Sequence, residues 1–190
     1  MKVCKFGGSS LADAKQLNKV IDIVLADPAR RIVVVSAPGK RHSGDTKVTD
    51  LLIELAQVAT KGENTDRQFG AVVERYAEIA TELKLGEEIV REIEMDLMDR
   101  LAQVSKLAEF MDLMKASGED NNAKLVAVAF AARGRKARYA SPKDTGMVLT
   151  GPFGDATLDP ASYATLSRAF SNFDGIVIYP GFFGYTAEGK

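Results

Sequence analysis

The chain has 190 residues, of which 46% are hydrophobic and 27% are charged, a composition typical of globular domains and not of disordered chains. Its formal net charge of −1 excludes a bulk attraction to nucleic acid or to an anionic membrane. No apolar run has the length of a membrane span, and the single cysteine, Cys4, cannot form an internal disulfide. We therefore expect one domain with one core, in a reducing compartment such as the cytoplasm.

The N-terminal stretch KVCKFGGSSL predicts a short strand that leads directly into a tight turn. Gly7 and Gly8 lack a Cβ atom, so the backbone there can turn sharply and approach a ligand closely. Ser9 and Ser10 can cap the helix that follows, and a helix N-terminus favours an anion. The ammonium group of Lys5 can reach the same anion. These features predict a phosphate-binding turn; the alternative is an exposed lysine beside an ordinary strand–helix turn.

The turn begins a strand–helix–strand unit. Apolar periodicity predicts a helix over Asp13–Ala26, and the β-branched run Arg31–Ser36 predicts a strand buried on both faces. The basic loop Ala37–Lys47 follows, and ligands of open α/β sheets bind at the carboxyl ends of strands. We expect the two turns to converge on one site, unless this loop is only a solvated basic segment. The single histidine, His42, has no cysteine or histidine nearby in the sequence, so no metal ligands are expected.

The middle of the chain has helical periodicity. The predicted helices are Val48–Thr60, Arg67–Lys84, Glu87–Met114 and Asn121–Arg133. Residues 61–117 present no recognisable set of reactive side chains, so we interpret them as a helical excursion beside the sheet. Gly118 suits the end of one helix, just before the next helix begins.

The remaining segments complete an α/β pattern. Strands are predicted near Tyr139–Ser141 and Ile176–Tyr179, with a helix over Ala161–Phe173 and an irregular stretch over Asp144–Ala156. Since β-branched strands alternate with helices, the predicted fold class is α/β, with a mainly parallel sheet and helices on both of its faces.

Two further positions have a structural and a functional interpretation. Glu119 and Asp120 lie near the predicted start of a helix, where the dipole alone favours carboxylates. A functional carboxylate there would bind an ammonium group. Beside a phosphate-binding site it would be costly unless a cationic partner lay nearby. Thr49, in the first turn of its helix, can either cap that helix or face a substrate.

Five motifs together resemble a known family. They are KFGGSS, VVVSAPGKR, KVTDLL, SGEDNNAKL and YPGFFG, in this order along nearly the whole chain. The chain resembles the N-terminal portion of the aspartate kinases of the amino acid kinase family. The resemblance implies transfer of the γ-phosphoryl group of Mg-ATP to the β-carboxylate of L-aspartate, the first step of lysine, threonine and methionine biosynthesis.

The resemblance also assigns roles to the N-terminal turn. It makes Lys5 the catalytic residue that offsets charge on the transferring phosphoryl group. The amides of Gly7 and Gly8 would donate to the phosphate oxygens, with Ser9 and Ser10 supporting the turn. Positioning and charge neutralisation would then account for most of the catalysis.

The amino acid substrate has its own implied residues. The resemblance places Thr49 and Glu119, and not Asp120, at the aspartate. It implies that Mg²⁺ is held mainly by the nucleotide phosphates, so no residue of the chain is predicted as a metal ligand. The implied partners are L-aspartate, ATP and a second copy of the chain in a homo-oligomer.

The resemblance further implies an incomplete enzyme. Residues 1–190 correspond to the amino-acid-substrate lobe, and we expect the nucleotide-binding half and regulatory domains to follow, so that the 190 residues alone are inactive. Three alternatives stay open. The first is another amino acid kinase, acting on acetylglutamate, glutamate, carbamate or a nucleoside monophosphate. The others are a non-catalytic aspartate-binding module and a piece without a function of its own.

Overall fold

The computed structural model describes residues 1–171 and 173–190. Its strands are β1 (Lys2–Phe6), β2 (Arg30–Val35), β3 (Ala137–Tyr139), β4 (Leu149–Thr150), β5 (Thr157–Leu158) and β6 (Ile176–Pro180). Its helices are α1 (Ala14–Leu25), α2 (Val48–Thr60), α3 (Asp66–Glu82), α4 (Glu87–Leu101), α5 (Leu107–Ala132) and α6 (Ser162–Ser171), with a short 3-10 helix at Gly8–Leu11.

A four-stranded parallel sheet in the order β1-β2-β6-β3 forms the centre of the fold. Val33 and Val35 of β2 are completely buried, in a core cluster shared with α1 and α5. Val34, which points to the opposite face, packs with a second cluster that includes Leu166 of α6. Because a strand covered on both faces must be apolar throughout, the RIVVV run becomes a central strand. The predicted α/β class with helices on both faces is confirmed.

Strand β1 forms one edge of this sheet in the described part of the chain. Its Val3 side chain is 63% exposed, and the Cys4 thiol is half-buried. An edge strand with an exposed apolar residue offers its unpaired backbone groups to a further strand.

The helical excursion differs from the prediction in its boundaries. The predicted helix 87–114 is two helices, since α4 ends at Leu101 and α5 begins at Leu107. Helix α5 then runs unbroken to Ala132, so the predicted helix end at Gly118 is wrong. A Cβ atom added at Gly118 would lie 3.0 Å from the Leu52 Cδ1 and 3.0 Å from the Ala37 Cβ. This glycine therefore allows α5 to pack closely on α2 and does not end the helix.

The start of α1 also differs from the prediction. Ser9 and Ser10 lie within the short 3-10 helix and do not cap α1. The cap is Asp13, whose Oδ1 accepts a hydrogen bond of 2.7 Å from the Gln16 N–H. The N-terminus of α1 is therefore capped by a carboxylate of the chain itself and not by the two serines.

Smaller differences occur towards the C-terminus. Strand β3 ends at Tyr139, where the sequence predicted a strand to begin. The stretch predicted to be irregular contains β4 of the β4–β5 hairpin. Helix α6 ends at Ser171, and the prediction of helix at Asn172 lies outside the described residues. None of the helices in the described ranges combines the length and apolar character that a membrane crossing requires.

Candidate active site

The turn after β1 and the loop after β2 meet at the carboxyl edge of the sheet. The Gly39 N–H donates to the Gly8 carbonyl oxygen at 2.9 Å, and the Ser36 N–H donates to the Phe6 carbonyl oxygen at 3.2 Å. Parallel pairing of β1 with β2 places both segments at the same edge. The predicted convergence of the two segments is confirmed.

Two glycines make this convergence possible. A Cβ atom on Gly39 would lie 2.5 Å from the Gly8 carbonyl carbon and 2.7 Å from the Ser9 nitrogen. A Cβ atom on Gly8 would lie 2.9 Å from the Ala37 carbonyl oxygen. Gly7 is different, because a Cβ atom there would meet nothing within 4 Å and its φ is −79°. Gly8 and Gly39 are thus required by packing, whereas Gly7 leaves open space above the turn.

We expect Gly39→Ala and Gly7→Ala to behave in opposite ways. Gly39→Ala forces two backbone segments apart and should lower the free energy of unfolding by about 1–3 kcal/mol. Gly7→Ala should change it by less than about 0.5 kcal/mol, since the new methyl group meets no protein atom. Urea unfolding followed by circular dichroism measures both values. Equal destabilisation by the two variants would contradict the distinction between a packing glycine and a ligand-facing one.

Glu119 of α5 lies at the same edge as the N-terminal turn. Burial raises the pKa of its carboxyl group to about 7, while the Ala37 backbone N–H and the Lys5 ammonium act in the opposite direction. Lys5 and Glu119 are far apart in sequence, but they lie close enough at this edge for the Lys5 charge to lower the pKa of the Glu119 carboxyl group. A nearby cation is what a carboxylate beside a phosphate-binding turn would require, and the roles of both residues stay predictions.

The remaining predicted residues lie in the N-terminal turn and at the start of α2. The Ser10 N–H closes the turn by donating to the Gly7 carbonyl oxygen at 3.0 Å, and Ser9 is exposed. Thr49 is half-buried in the first turn of α2, and the Val48 N–H before it donates to the Pro38 carbonyl oxygen at 3.0 Å. The start of α2 is thereby held beside the loop that contacts the turn.

Arg41, in the basic loop after β2, forms ion pairs within the protein. The Arg41 guanidinium is bound by Asp45, with its Nη2 2.9 Å from the carboxylate, and also by Glu78. The hydrogen bonds from Arg41, together with the charge of Arg75, hold the pKa of Asp45 well below its usual range. Two carboxylates therefore neutralise Arg41, and its side chain links the loop after β2 to α3.

Asp120, next to Glu119, has a structural environment that the sequence did not indicate. It is only 4% exposed, accepts a hydrogen bond of 2.6 Å from the Arg100 Nη2, and accepts another from the Tyr139 hydroxyl. Arg100 also pairs with Asp96 at 2.8 Å. The interpretation of Asp120 as a charge at a helix end is wrong, because α5 does not begin there. Asp120 is part of a buried ionic network.

Sequence reasoning missed one residue of the site altogether, Arg75 of α3. Its guanidinium is buried and hydrogen-bonds both to the segment after β1 and to the loop after β2. Arg75 lies at helical spacing among the buried residues Val72, Tyr76 and Ile79. An arginine within an apolar stripe could have identified this residue from the sequence, because a charge on the buried face of a helix requires buried partners.

The chain matches a family model and several known proteins. The model of the amino acid kinase family matches residues 1–190. The chain is 51% identical over 190 residues to aspartokinase 3 of Bacillus subtilis (strain 168), covering 100% of this chain and 42% of that protein. It is 30% identical over 196 residues to the lysine-sensitive aspartokinase 3 of Escherichia coli (strain K12), covering 99% of this chain and 42% of the relative.

Solved structures show the same fold. Aspartokinase III of E. coli in complex with aspartate and ADP superimposes with a TM-score of 0.79 and 28% identity, over 99% of this chain and 42% of that one. The aspartate kinase of Clostridium acetobutylicum has a TM-score of 0.77 and 28% identity, over 99% and 40% of the two chains. The chain spans about two fifths of the length of these relatives. By its whole-length match, this chain belongs to the amino acid kinase family.

Proposed function

We propose that the protein containing these residues transfers the γ-phosphoryl group of ATP to the β-carboxylate of L-aspartate. The observation that carries the proposal is the convergence of the Gly7–Gly8 turn with the loop after β2, at the edge where Glu119 is half-buried within range of the Lys5 charge. A cation and backbone amides suit a phosphate, whereas a carboxylate suits the ammonium group of an amino acid. The likeness to aspartokinases supports this assignment, since one of those structures holds aspartate and ADP.

In the proposed reaction, a β-carboxylate oxygen of aspartate forms a bond to the γ-phosphorus. The bond from that phosphorus to the β,γ-bridging oxygen breaks, and ADP leaves with the electron pair. Lys5 would offset the charge on the transferring group, and the amides of Gly7 and Gly8 would donate to its oxygens. Ser9 and Ser10 would support the turn through the short 3-10 helix in which they lie.

Glu119 and Thr49 would hold the amino acid. Only an ionised carboxylate attracts an ammonium group strongly, so Glu119 would bind aspartate in its deprotonated form. Because burial raises the pKa of Glu119 to about 7 in the unliganded protein, binding of the ammonium group would release a proton near neutral pH. Thr49 would contribute its hydroxyl group from the first turn of α2.

Mg²⁺ enters this proposal together with the nucleotide. No three histidine, cysteine, aspartate or glutamate side chains of the described residues lie close enough together to hold a metal ion. The ion would therefore be bound mainly by the ATP phosphates, which also bring it to the turn. The proposal further includes a homo-oligomeric, cytoplasmic enzyme of amino acid biosynthesis, as the likeness to aspartokinases suggests.

The test is ADP release by the intact protein with ATP, Mg²⁺ and a panel of acceptors. We expect turnover with L-aspartate, and none with N-acetylglutamate, carbamate or a nucleoside monophosphate, which lack a free α-amino group for Glu119. Turnover with one of these instead would assign another activity of the family. Calorimetric binding of aspartate without turnover would assign a binding module. In the same assay, we expect residues 1–190 alone to release no ADP, because fixing two substrates together contributes about 7–11 kcal/mol.

A further inference from the structure

Arg75 of α3 links the segment after β1, which contains the predicted phosphate-binding turn, to the loop after β2. Its Nη2 donates to the Ala12 carbonyl oxygen at 3.2 Å and to the Gly39 carbonyl oxygen at 2.9 Å. Ala12 follows the glycine turn after β1, whereas Gly39 lies in the loop after β2. One nitrogen atom therefore donates hydrogen bonds to both segments and holds them together.

The other arm of the guanidinium anchors the loop after β2 a second time. The Arg75 Nη1 donates to the Thr46 carbonyl oxygen and to the Asp45 Oδ2, both at 2.9 Å. The planar, forked guanidinium can reach these separate acceptors at once, whereas a lysine ammonium presents its donors from a single point. The arrangement is specific for arginine and not only for a positive charge.

Burying the charged guanidinium group of Arg75 carries a desolvation cost. Arg75 is only 4% exposed, one carboxylate neutralises it, and its Nε is buried without a hydrogen-bond partner in the described residues. Replacing a buried ion pair by apolar residues is often neutral or stabilising, so its presence is weak support for a purely stabilising role. A role in fixing the position of nearby backbone explains the four hydrogen bonds better.

We propose that Arg75 is a positioning residue for phosphoryl transfer, an inference that rests on the proposed function. It acts through Gly39, whose carbonyl oxygen it binds and whose N–H donates to the Gly8 carbonyl oxygen at 2.9 Å. The Gly7–Gly8 amides and Lys5, which lies two residues before Gly7, then keep their geometry relative to the phosphate. Arg75 itself contacts no substrate in this scheme. It fixes the residues that do.

The decisive variant is Arg75→Lys in the intact protein, which keeps the charge and loses the fork. At a temperature well below its melting point, we expect kcat to fall by about 10- to 100-fold, because small displacements of positioned groups have effects of this size. The KM for aspartate should stay within about twofold, since Glu119 and Thr49 lie on α5 and α2 and the hydrogen bonds of Arg75 go to neither helix. Calorimetric titration with ATP provides a second readout that does not need turnover, and it should show weaker binding.

Arg41→Gln is the matched control. It removes a guanidinium from the same carboxylate, Asp45, but within the described part of the chain the Arg41 side chain donates only to the carboxylates of Asp45 and Glu78. We expect its kcat and ATP binding to stay within about threefold of wild type. An Arg75→Lys variant with a lower melting temperature but normal kcat and ATP binding would overturn the proposal. Arg75 would then contribute to stability and not to the position of the catalytic groups.

Arg75→Gln provides a second test, since an amide can still donate to one or two of the carbonyls. If both Arg75 variants fail to reach the wild-type circular dichroism spectrum, Arg75 is required for folding and the positioning role is rejected. Failure of the wild-type protein to release ADP with aspartate would refute the proposed function separately. The ATP titration would then still decide whether Arg75 positions the turn.

Discussion

Replacement of Lys5 by alanine in the intact protein is expected to lower kcat by about 10²-fold or more. Lys5 lies next to the Gly7–Gly8 turn and within electrostatic reach of Glu119. In the proposed reaction its charge interacts most strongly with the transferring phosphoryl group, so its loss raises the barrier more than it weakens binding of either substrate. Steady-state kinetics with ATP and aspartate varied in turn measures kcat and both KM values.

Lys2→Ala is the matched control for this prediction. Lys2 lies on the same strand as Lys5 but at its opposite end, where its Nζ pairs with Asp27 at 2.8 Å. Removing this exposed ion pair should have little effect on stability and should leave turnover unchanged. A decrease in kcat of less than about threefold for Lys5→Ala would remove Lys5 from the mechanism.

Replacement of Glu119 by glutamine is expected to raise the KM for aspartate by about 30-fold at pH 8, with little change in the KM for ATP. The reason is the loss of the only charge that the proposal assigns to the substrate ammonium group. In the wild-type protein, the same pKa of about 7 should make the KM for aspartate rise as the pH falls below 7. Glu119→Gln should lack this pH dependence.

The same substitution should stabilise the unliganded protein at high pH. The folded-state pKa of Glu119 is raised from 4.5 to about 7, so ionisation is harder in the folded state than in the unfolded state. Its contribution to stability is therefore full below pH 4.5 and is lost as the pH rises through 7. At pH 8, Glu119→Gln should have a free energy of unfolding that is higher by about 1–3 kcal/mol, and this gain should vanish near pH 4.

Glu94→Gln is the matched control for Glu119→Gln. Glu94 is a half-buried glutamate of α4, a helix that packs on α3 and α5. Asp120 is unsuitable as a control, since Asp120→Asn would disturb the buried pair with Arg100. If Glu119→Gln and Glu94→Gln shift the KM for aspartate equally, Glu119 does not bind the substrate. If Glu119→Gln also fails to stabilise the protein at pH 8, the carboxyl group is not buried as described.

The sequence alone determined those parts of the fold and site that depend on local pattern. The β-branched run of β2 predicted a strand buried on both faces, because only such a strand needs apolar residues in succession. The sequence of Lys5 to Gly8 predicted a turn with a nearby cation, since glycine freedom and side-chain charge are properties of the residues themselves. Convergence of the two turns also followed, because parallel strands place their carboxyl ends at one edge.

Only the tertiary structure decided what depends on contacts between distant segments. From the sequence, Gly118 could end a helix or lie within one. The close approach of Ala37 and Leu52 explains why a glycine is needed in the middle of α5. The pKa of Glu119 is raised by burial beside the loop after β2, and the buried partners of Arg75 come from two segments far away in sequence. Desolvation and hydrogen-bond satisfaction are properties of an assembled environment, so no pattern along the chain could define them.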